Sequence, residues 1–273
     1  MIINGNEPVT AIIKYITMPR AIWKGGISFG LVYIPVKLYS GATSHKLDLN
    51  MLRKGDKCPI KYVRVCQDDG KEVAWKDIVK GYRIEDYYIT ISDEDFEKAS
   101  KGKSESIDIQ EFVKTEEINP RYFEKPYLLE PEKGAGKTYN LLREAIFESK
   151  MAGLAKFVLR NREHLALLMA DEKVLYLNQM RFHDELRKPD DLNIPSSSPS
   201  KGELEMALQL IKGMSSKFKP DKYSDTYQET LKEIIEAKAE NKEISVPGSK
   251  KEEEESTVDD LMEQLKKSLE MTS

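Results

Sequence analysis

Short apolar runs separated by turn residues fill the first part of the chain and predict β-structure. The run at 27–40, ISFGLVYIPVKLYS, is rich in β-branched and aromatic residues and is interrupted by Gly30 and Pro35. This pattern is typical of strands that are buried on both faces or bent around a barrel. In the segment 61–73, two β-type runs are separated by Asp69-Gly70, a strong hairpin signal. These patterns favour a β-rich domain.

The β-pattern continues to residue 131, and a single strand is predicted over 81–92. A short helix follows it, because Ser92 is a favourable N-cap with Asp95 three residues later. A second helix is predicted over 137–150, where apolar residues recur at helical spacing. Three antiparallel strands are expected next, with the sequence ADEK at the tip of their last hairpin.

The pattern changes to helical repeats after a linker rich in Pro and Ser at 189–200. One helix places apolar side chains about one turn apart and ends by Pro220; these side chains are Leu204, Leu208, Ile211 and Phe218. A second helix begins at Asp225, a good N-cap, and is predicted to carry an inward stripe of Tyr227, Leu231, Ile234 and Ile235.

The last segments of the sequence predict a charged linker followed by an amphipathic helix. Residues 246–256, VPGSKKEEEES, have a composition typical of a solvated linker. Thr257 and Asp260 form a capping box for the helix at 257–273. An isolated helix of this length is unstable, so it either packs back on the core of the protein or gains order by docking in a groove of a partner, as ligase recruitment would require. The predicted docking stripe consists of Val258, Leu261, Met262, Leu265 and Leu269.

Composition bounds the class of protein and the compartment. Hydrophobic residues make up 40% and charged residues 33% of the 273 residues, and no apolar run approaches the length of a membrane span. Two cysteines are too few for a disulfide framework in a chain of this size, so we expect a cytoplasmic protein without a membrane partner. Residues 1–17 lack clear periodicity and the features of a signal peptide, and we expect a disordered extension there.

Charge is distributed unevenly along the chain. The net charge is −4, which alone argues against a polyanionic partner. Between residues 18 and 80, however, twelve Lys or Arg stand against six Asp or Glu, whereas from residue 196 onward twelve Lys stand against seventeen acids. This asymmetry permits a basic face for nucleic acid, although solvated mixed-charge surfaces are the commoner explanation. The sequence contains a second basic cluster, which consists of Lys156, Arg160 and Arg162. Its pattern does not indicate which surface of the protein these side chains face.

Residues 131–138, PEKGAGKT, followed by LALLMADE at 165–172, invite comparison with a phosphate-binding loop and its acidic Mg²⁺ partner. Two features argue against it. Pro131 stands at the first glycine position, where it supplies no N–H and fixes φ. The second segment also runs directly into another β-run, as half of a hairpin rather than a strand of a parallel sheet. We therefore expect Gly134 to Gly136 to form a turn and Lys137-Thr138 to open the helix.

The sequence does not contain the complete residue sets of other catalytic motifs. The three histidines fall in no metalloprotease or hydrolase motif. Cys58 and Cys66 lie too far apart in sequence for a typical zinc pair, although His45 could be recruited, and buried structural thiols are the preferred interpretation. We expect no metal, no cofactor and no catalytic residue: the chain is interpreted as a binding protein rather than an enzyme.

Five segments in order resemble the bacterial Ku family. They are AIWKGGISFGLVYIPVKLYS, GKEVAWKDIVKGYRIEDYYITISDEDFE, NPRYFEKPYLLEP, KTYNLLREAIFESK and KFVLRNREHLALL. The resemblance covers nearly all of residues 18–192, and QLIKGMSSKFKPDKYSDTYQETLKEIIEAK and VDDLMEQLKKSL are similar to the helical arm and terminal segment of the family. It therefore divides the chain into a Ku-like core at 18–192, a helical arm at 193–245, and the linker and docking helix described above.

The resemblance implies a mixed fold, mainly β with α, in which β-barrel cores and bridging strands of a homodimer close into a ring. Such a ring threads onto double-stranded DNA ends without sequence preference, protects them, and recruits DNA ligase D for non-homologous end joining at breaks in the bacterial nucleoid. A Lys-rich tail is frequent in the family, but KKEEEES stands here, which puts tail-assisted DNA binding in doubt.

By its order along the chain, the bridge over the duplex is expected at about residues 40–64. The residues predicted to contact phosphate are Lys46, Arg53, Lys54, Lys57, Lys61 and Arg64, together with Lys37 just before that segment. The alternative for each is a solvated side chain. Two other functions remain open: a nucleotide hydrolase using residues 134–138, and a dimeric adaptor whose main partner is protein.

Overall fold

A closed seven-stranded barrel is the centre of the fold. The computed structural model describes residues 20–43, 47–100 and 105–240. Within this part of the chain, the barrel strands are β1 (Trp23–Phe29), β2 (Val32–Ser40), β5 (Ser106–Lys114), β6 (Phe123–Pro131), β7 (Met151–Leu159), β8 (Arg162–Ala170) and β9 (Leu175–Met180). Their order around the barrel is β1-β2-β6-β9-β8-β7-β5, and a parallel pairing of β1 with β5 closes it. The predicted fold class, mainly β with α, is confirmed.

Side chains that alternate along the strands fill the interior of the barrel with an apolar core. Val36 and Leu38 on β2 are fully buried, as are Ala166 and Leu168 on β8 and Leu177 on β9. Phe157 on β7 lies among them and meets the ring of Tyr127 edge to face, with ring centroids 6.4 Å apart. Shifting any strand by one residue would carry its buried set to the solvent face, so the hydrophobic pattern fixes the register.

The two rims of the barrel differ. At the rim that we call the helix rim, β6 and β7 are joined through α2 (Gly136–Ser149). Tyr139 of α2 is buried there; its hydroxyl donates to the carbonyl of Leu129 at 2.7 Å and accepts from the amide of Leu175 at 2.8 Å. The β1–β2 turn, with Gly30 at φ +57°, lies at the same rim, since β1 pairs antiparallel with β2 up to Phe29 and Val32.

At the opposite rim, which we call the insertion rim, the chain leaves the barrel after β2 and returns at β5. Ser40 at the end of β2 pairs with Tyr127, and Ser106 at the start of β5 pairs with Gly26 of β1. The β7–β8 turn and the end of β9 lie at this rim too, because Leu159 pairs with Arg162 and Leu165 with Met180. We call the residues between these exits, 41–105, the β2–β5 insertion.

The β2–β5 insertion contains a hairpin and a short helix. The hairpin consists of β3 (Lys80–Ile84) and β4 (Tyr87–Ile91), and α1 (Asp93–Ser100) follows it. The predicted N-cap of α1 is confirmed: the Ser92 hydroxyl accepts from the Asp95 amide at 3.2 Å and donates to the Asp95 carboxylate at 2.7 Å. The single strand predicted over 81–92 is wrong, because the chain reverses at Glu85, whose φ is +49°.

The remaining helices belong to a second compact unit. The described residues within Met1–His45 and Asn50–Lys188 form one unit, and those within Lys46–Leu49 and Pro189–Ser273 form the other. The second unit contains α3 (Lys201–Met214) and α4 (Thr226–Ala239). The predicted N-cap of α4 is confirmed, since the Asp225 carboxylate accepts from the Gln228 amide at 3.1 Å.

Two predictions for this helical unit need correction. The helix α3 ends at Met214, so Phe218 lies beyond it, stacked on Tyr223 with ring centroids 6.2 Å apart. On α4, Leu231 and Ile234 are half-buried, but Tyr227 and Ile235 are exposed, so only half of the stripe predicted to face inward does so. The predicted extension at 1–17, the linker at 246–256 and the docking helix at 257–273 all lie outside the described residues.

Candidate nucleic-acid interface

The predicted phosphate contacts lie mostly on the β2–β5 insertion, where no described residue is buried. A tight loop spans the antiparallel bridge between Leu52 and Pro59. The Arg53 amide donates to the carbonyl of Cys58, and the Lys57 amide to that of Arg53, both at 2.9 Å. Lys57 adopts a left-handed φ of +59° at the turn. The loop therefore presents its cations to solvent on a backbone held by its own hydrogen bonds.

Arg53 is already engaged within this loop. Its guanidinium forms a two-pronged pair with Asp56, with Nε to Oδ1 at 2.9 Å and Nη2 to Oδ2 at 2.5 Å. The amide of Cys58 also donates to Asp56. The hydrogen bond from Arg53, followed by that from Cys58, lowers the pKa of the Asp56 carboxyl from its ordinary 3.8 to about 2. The charge of Arg53 is therefore neutralised locally, and its contribution to DNA binding stays a prediction.

Lys54, Lys57 and Lys61 are exposed, and no carboxylate of the described residues lies within ion-pair distance of their ammonium groups. Unpaired ammonium groups on an exposed loop are suited to phosphate contact, because their charge is not already compensated. Among the predicted site residues that the structure describes, these three have neither an ion pair nor an aromatic ring beneath the cation.

Arg64 lies over an aromatic ring. Its guanidinium carbon is 4.4 Å from the ring centroid of Trp75, which is itself 71% exposed. The carbonyl of Arg64 accepts from the Val73 amide at 2.8 Å, across a ladder that turns at Gly70 with φ +69°. The hairpin turn predicted at Asp69-Gly70 is confirmed, although the ladder beside it is only the bridge Val65 to Glu72. Stacking orients the guanidinium and leaves its edge N–H groups available.

Lys37 and Lys46 fall outside this group. Lys37 lies on the outer face of β2, where its ammonium is 3.5 Å from Glu130. Tyr39 donates to the same carboxylate at 2.6 Å, and these two partners, Tyr39 first, lower the pKa of Glu130. Lys37 is thus part of the barrel wall, away from the β2–β5 insertion. Lys46 and His45, like the docking residues from Val258 to Leu269, lie outside the described residues.

A feature that the sequence did not single out is an apolar face on the β3–β4 hairpin. The register pairs Tyr82 with Ile89 and Ile84 with Tyr87, so these four side chains share one face. All four are exposed, Tyr82 by 68%. Arg83 pairs with Tyr88 on the opposite face. The alternation in YRIEDYYITI contains this signal, but it emerges only once the reversal at Glu85 is known.

The second basic cluster divides in two. Lys156 is exposed on the outer face of the barrel, opposite Asp108. Arg160 and Arg162 lie at the insertion rim, on either side of the β7–β8 turn, where Arg160 and Asn161 have φ of +51° and +63°. Two left-handed residues in succession form the tight turn that matches strand twist. Arg160 and Arg162 line a pocket together with Lys125 and His164, which the sequence did not connect with this cluster.

The residues that resemble a nucleotide-binding loop have structural roles. Pro131 ends β6, and Gly134 turns the chain at φ +92°, as predicted; α2 begins at Gly136, one residue before the predicted start at Lys137. Asp171, the acid after LALLMA, accepts from the amides of Lys173 and Val174 at 2.7 and 2.8 Å, and these bonds lower its pKa. It closes the turn between β8 and β9.

The cysteines differ from the prediction. Cys58 is exposed and Cys66 half-buried, and both are free thiols, so the interpretation as buried structural thiols is wrong: both lie on a segment with no core around it. In residues 20–43, 47–100 and 105–240, no group of three or more His, Cys, Asp or Glu side chains could hold a metal ion. None of the helices in these ranges is long and apolar enough to cross a bilayer.

Comparison with known proteins places these features in one family. The family model for Ku, described as the Ku70/Ku80 beta-barrel domain, matches residues 28–206. A protein of Opitutus terrae named non-homologous end joining protein Ku is 40% identical over 256 residues, which is 93% of this chain and 92% of that protein. Proteins of the same name from Koribacter versatilis and Pseudomonas syringae are 37% and 39% identical over 92% of this chain, covering 86% and 87% of their own lengths.

Proposed function

The chain belongs to the Ku family, and we propose from that premise that it binds the ends of double-stranded DNA in non-homologous end joining. It acts as a homodimer whose two β2–β5 insertions close around the duplex. Binding rather than catalysis is its task, carried out at breaks in the bacterial nucleoid. The ring selects an end by topology, because only an open terminus can be threaded.

The observation that carries the homodimer is the apolar face of the β3–β4 hairpin. A two-stranded hairpin is marginally stable in water by itself. This one exposes Tyr82, Ile84, Tyr87 and Ile89 together on one face. Contiguous exposed apolar surface of this kind marks a protein interface. A ring around DNA needs a contact between its two halves, so a second copy of the chain is the partner that fits this face.

The basic residues of the β2–β5 insertion supply the affinity for DNA. Lys54, Lys57 and Lys61 carry uncompensated charge on a segment that leaves and re-enters the barrel at one rim. Each phosphate that such a side chain neutralises releases condensed counterions, which lowers log Kobs by about 0.9 per tenfold increase in salt. Because these contacts involve no base edges, binding is independent of sequence.

Competition between linear and circular DNA tests the proposed function. The protein is bound to a labelled linear duplex, and unlabelled linear or closed circular plasmid of equal mass is added. We expect linear competitor to displace the label and closed circles to fail, because a closed circle offers no terminus to thread. Equal competition by both forms would contradict end recognition.

We propose further that the segment 257–273 recruits DNA ligase D. Its apolar stripe of Val258, Leu261, Met262, Leu265 and Leu269 has the spacing of a helix that docks in a groove. Support comes from the sequence pattern alone, since this segment lies outside the described residues.

Deletion of residues 257–273 separates recruitment from DNA binding. We expect end binding to stay within about twofold of the full chain and stimulation of ligation by DNA ligase D to disappear, because the docking stripe is removed while the β2–β5 insertion is intact. The control replaces the polar Gln264 by Glu within the same segment and should leave stimulation unchanged. Full stimulation by the deleted protein would refute this role of the tail.

A further inference from the structure

A basic pocket lies in the mouth of the barrel at the insertion rim. Its volume is about 310 Å³. Three Lys or Arg side chains and one histidine line it, and they come from two separate stretches of the sequence: Lys125 on β6, and Arg160, Arg162 and His164 around the start of β8. The remaining lining residues are Ile22, Tyr127, Leu159 and Gln179.

Side-chain alternation explains why these cations converge. Lys125 precedes the buried Tyr127 by two positions on β6, and Arg162 and His164 precede the buried Ala166 on β8 at steps of two. They therefore continue the rows of side chains that fill the barrel, beyond the point where the apolar core ends. The interior of the barrel thus changes from apolar to basic at this rim, whereas α2 packs against the other.

The floor of the pocket has its own hydrogen bonds satisfied. Tyr127, 3% exposed, donates from its hydroxyl to Oε1 of Gln179 at 3.1 Å, and Nε2 of Gln179 donates to Glu124 at 3.1 Å. Lys125 lies with its ammonium 5.5 Å from the ring centroid of Tyr127. Burial raises the pKa of the Tyr127 hydroxyl, while the nearby charge of Arg160 opposes that shift. Tyr127 and Gln179 therefore make their side-chain hydrogen bonds without the cations.

The positive charges of the pocket outnumber the neighbouring acids of the described residues. No carboxylate of the described residues lies within ion-pair distance of Lys125, Arg160 or Arg162. The nearest acid along β6, Glu124, is held by Gln179 and by the guanidinium of Arg181 at 3.6 Å. Three cations line this concave site, and a single carboxylate, Glu124, is hydrogen-bonded to its floor, so an excess of positive charge remains that favours an anion.

The pocket lies beside the exit of the β2–β5 insertion. Ser40, the last residue of β2, pairs directly with Tyr127 in the pocket floor, and the β2–β5 insertion begins at the next residue. A duplex enclosed by this segment passes the rim to which both of its ends are attached. We infer that the pocket binds a phosphate group, and, resting on the proposed function, that this group belongs to the backbone of the enclosed duplex.

Arginine and lysine together match this ligand. A guanidinium offers paired N–H donors to two phosphate oxygens, and an ammonium adds a compact charge. His164, whose ring lies 5.5 Å from that of Phe157, offers a further nitrogen at the pocket wall. Free inorganic phosphate presents the same oxygens as a backbone phosphate, so the experiment needs an arm for each source.

The DNA arm measures the salt dependence of linear duplex binding for the double variant Lys125→Gln/Arg162→Gln in the full chain. The matched control is Lys133→Gln/Lys173→Gln, which makes the same charge change on exposed side chains at the helix rim. If each pocket of a homodimer binds one phosphate, the slope of log Kobs against log salt becomes shallower by about 1.8 in the pocket variant. Affinity at about 0.1 M salt then falls by roughly tenfold per phosphate. The control should change the slope by less than half as much.

The phosphate arm titrates inorganic phosphate against the wild-type chain and the pocket variant, and follows the ring resonances of His164 and the side-chain amide of Gln179 by NMR. We expect saturable shifts in the wild type and none in the variant. Thermal unfolding of each variant checks that the barrel is intact, and these exposed substitutions should leave Tm nearly unchanged.

The outcomes separate this inference from the proposed function. A pocket variant that matches its control in slope overturns the assignment to DNA, and if phosphate shifts are absent as well, it overturns the anion site altogether. Phosphate shifts with an unchanged DNA slope assign the pocket to free phosphate and overturn the DNA source. If the wild-type chain fails to prefer linear DNA, the proposed function fails, while the phosphate arm still decides the pocket.

Discussion

The barrel and residues 50–105 of the β2–β5 insertion belong to the same compact unit, but they place their apolar side chains in opposite environments. On β2, for example, every second residue from Ile34 to Leu38 is buried against the barrel core. Within the β2–β5 insertion, Tyr82 and Trp75 are largely exposed and no described residue is buried. The barrel therefore contains the interactions that stabilise it, whereas the β2–β5 insertion leaves its apolar side chains exposed, where we propose that they meet a partner.

The largest expected effect is a loss of stability caused by a substitution in the barrel core. Phe157→Ala removes a fully buried ring from the centre of the core and should lower the free energy of unfolding by about 3–5 kcal/mol, through reduced burial and the cavity that remains. Urea denaturation measures it. The control, Leu31→Ala at the exposed β1–β2 turn, should stay within about 0.5 kcal/mol. Similar decreases for both would mean that the barrel core is not the stabilising element.

The next effect concerns the dimer interface that we propose for the β2–β5 insertion. Tyr82→Ser/Tyr87→Ser removes both aromatic rings from the apolar face of the hairpin, and dimer dissociation should become easier by about 2–4 kcal/mol, since large aromatic anchors dominate such interfaces. Light scattering across a dilution series measures the dimer fraction. Tyr88→Ser on the opposite face of the same hairpin is the control, and it should be close to neutral. An unchanged dimer fraction in the double variant would place the interface elsewhere.

A smaller effect, on the salt dependence of DNA binding, distinguishes lysines without an ion pair from a lysine that is paired with a carboxylate. Lys54→Gln and Lys61→Gln should each make the salt slope of DNA binding shallower by about 0.9 for every phosphate that the side chain no longer neutralises. Lys37→Gln should leave the slope unchanged, because Lys37 is paired with Glu130 on the barrel wall. Filter binding of a linear duplex at several salt concentrations provides the slopes. If Lys37→Gln has the larger effect, the DNA runs along the barrel wall rather than the β2–β5 insertion.

The smallest effect is local and depends on pH. Because the pKa of Asp56 is lowered from 3.8 to about 2, the pair with Arg53 is fully formed above pH 3.8 and is broken as the pH falls through about 2. The amide resonance of Cys58, which donates to Asp56, should therefore titrate with a midpoint near 2. Asp56→Asn should abolish this titration without changing global stability, since the pair is exposed. A midpoint near 3.8 would show that the pair does not form in solution.

Local signals in the sequence predicted the barrel strands and the helix starts well. Ser92 and Asp225 cap their helices as expected, because the cap is a contact between residues three apart. Gly70 marks its turn because a left-handed φ favours glycine, which is also a local property of the sequence. The reversal at Glu85 was missed because a non-glycine residue takes that conformation there. Sequence propensity disfavours this conformation, so no local signal indicated the hairpin.

The candidate sites depended on contacts between residues that are far apart in the sequence, and local sequence patterns do not reveal such contacts. Lys37 looked like its neighbours in charge, but barrel pairing of β2 with β6 brings Glu130 next to it. Lys125 and Arg162 lie far apart in the chain, and closure of the barrel brings them to one pocket. The thiols of Cys58 and Cys66 were expected to be buried because cysteine usually is, yet they lie on a segment that has no core.

The parallel seam between β1 and β5 joins residues on either side of the β2–β5 insertion, so the seam can form whatever the length of the chain between them. Loop closure depends only weakly on length, and doubling a flexible loop costs about 0.6 kcal/mol. Relatives can therefore lengthen, shorten or resurface this segment while the same barrel is kept. The length and the surface residues of the β2–β5 insertion can therefore change in evolution independently of the barrel.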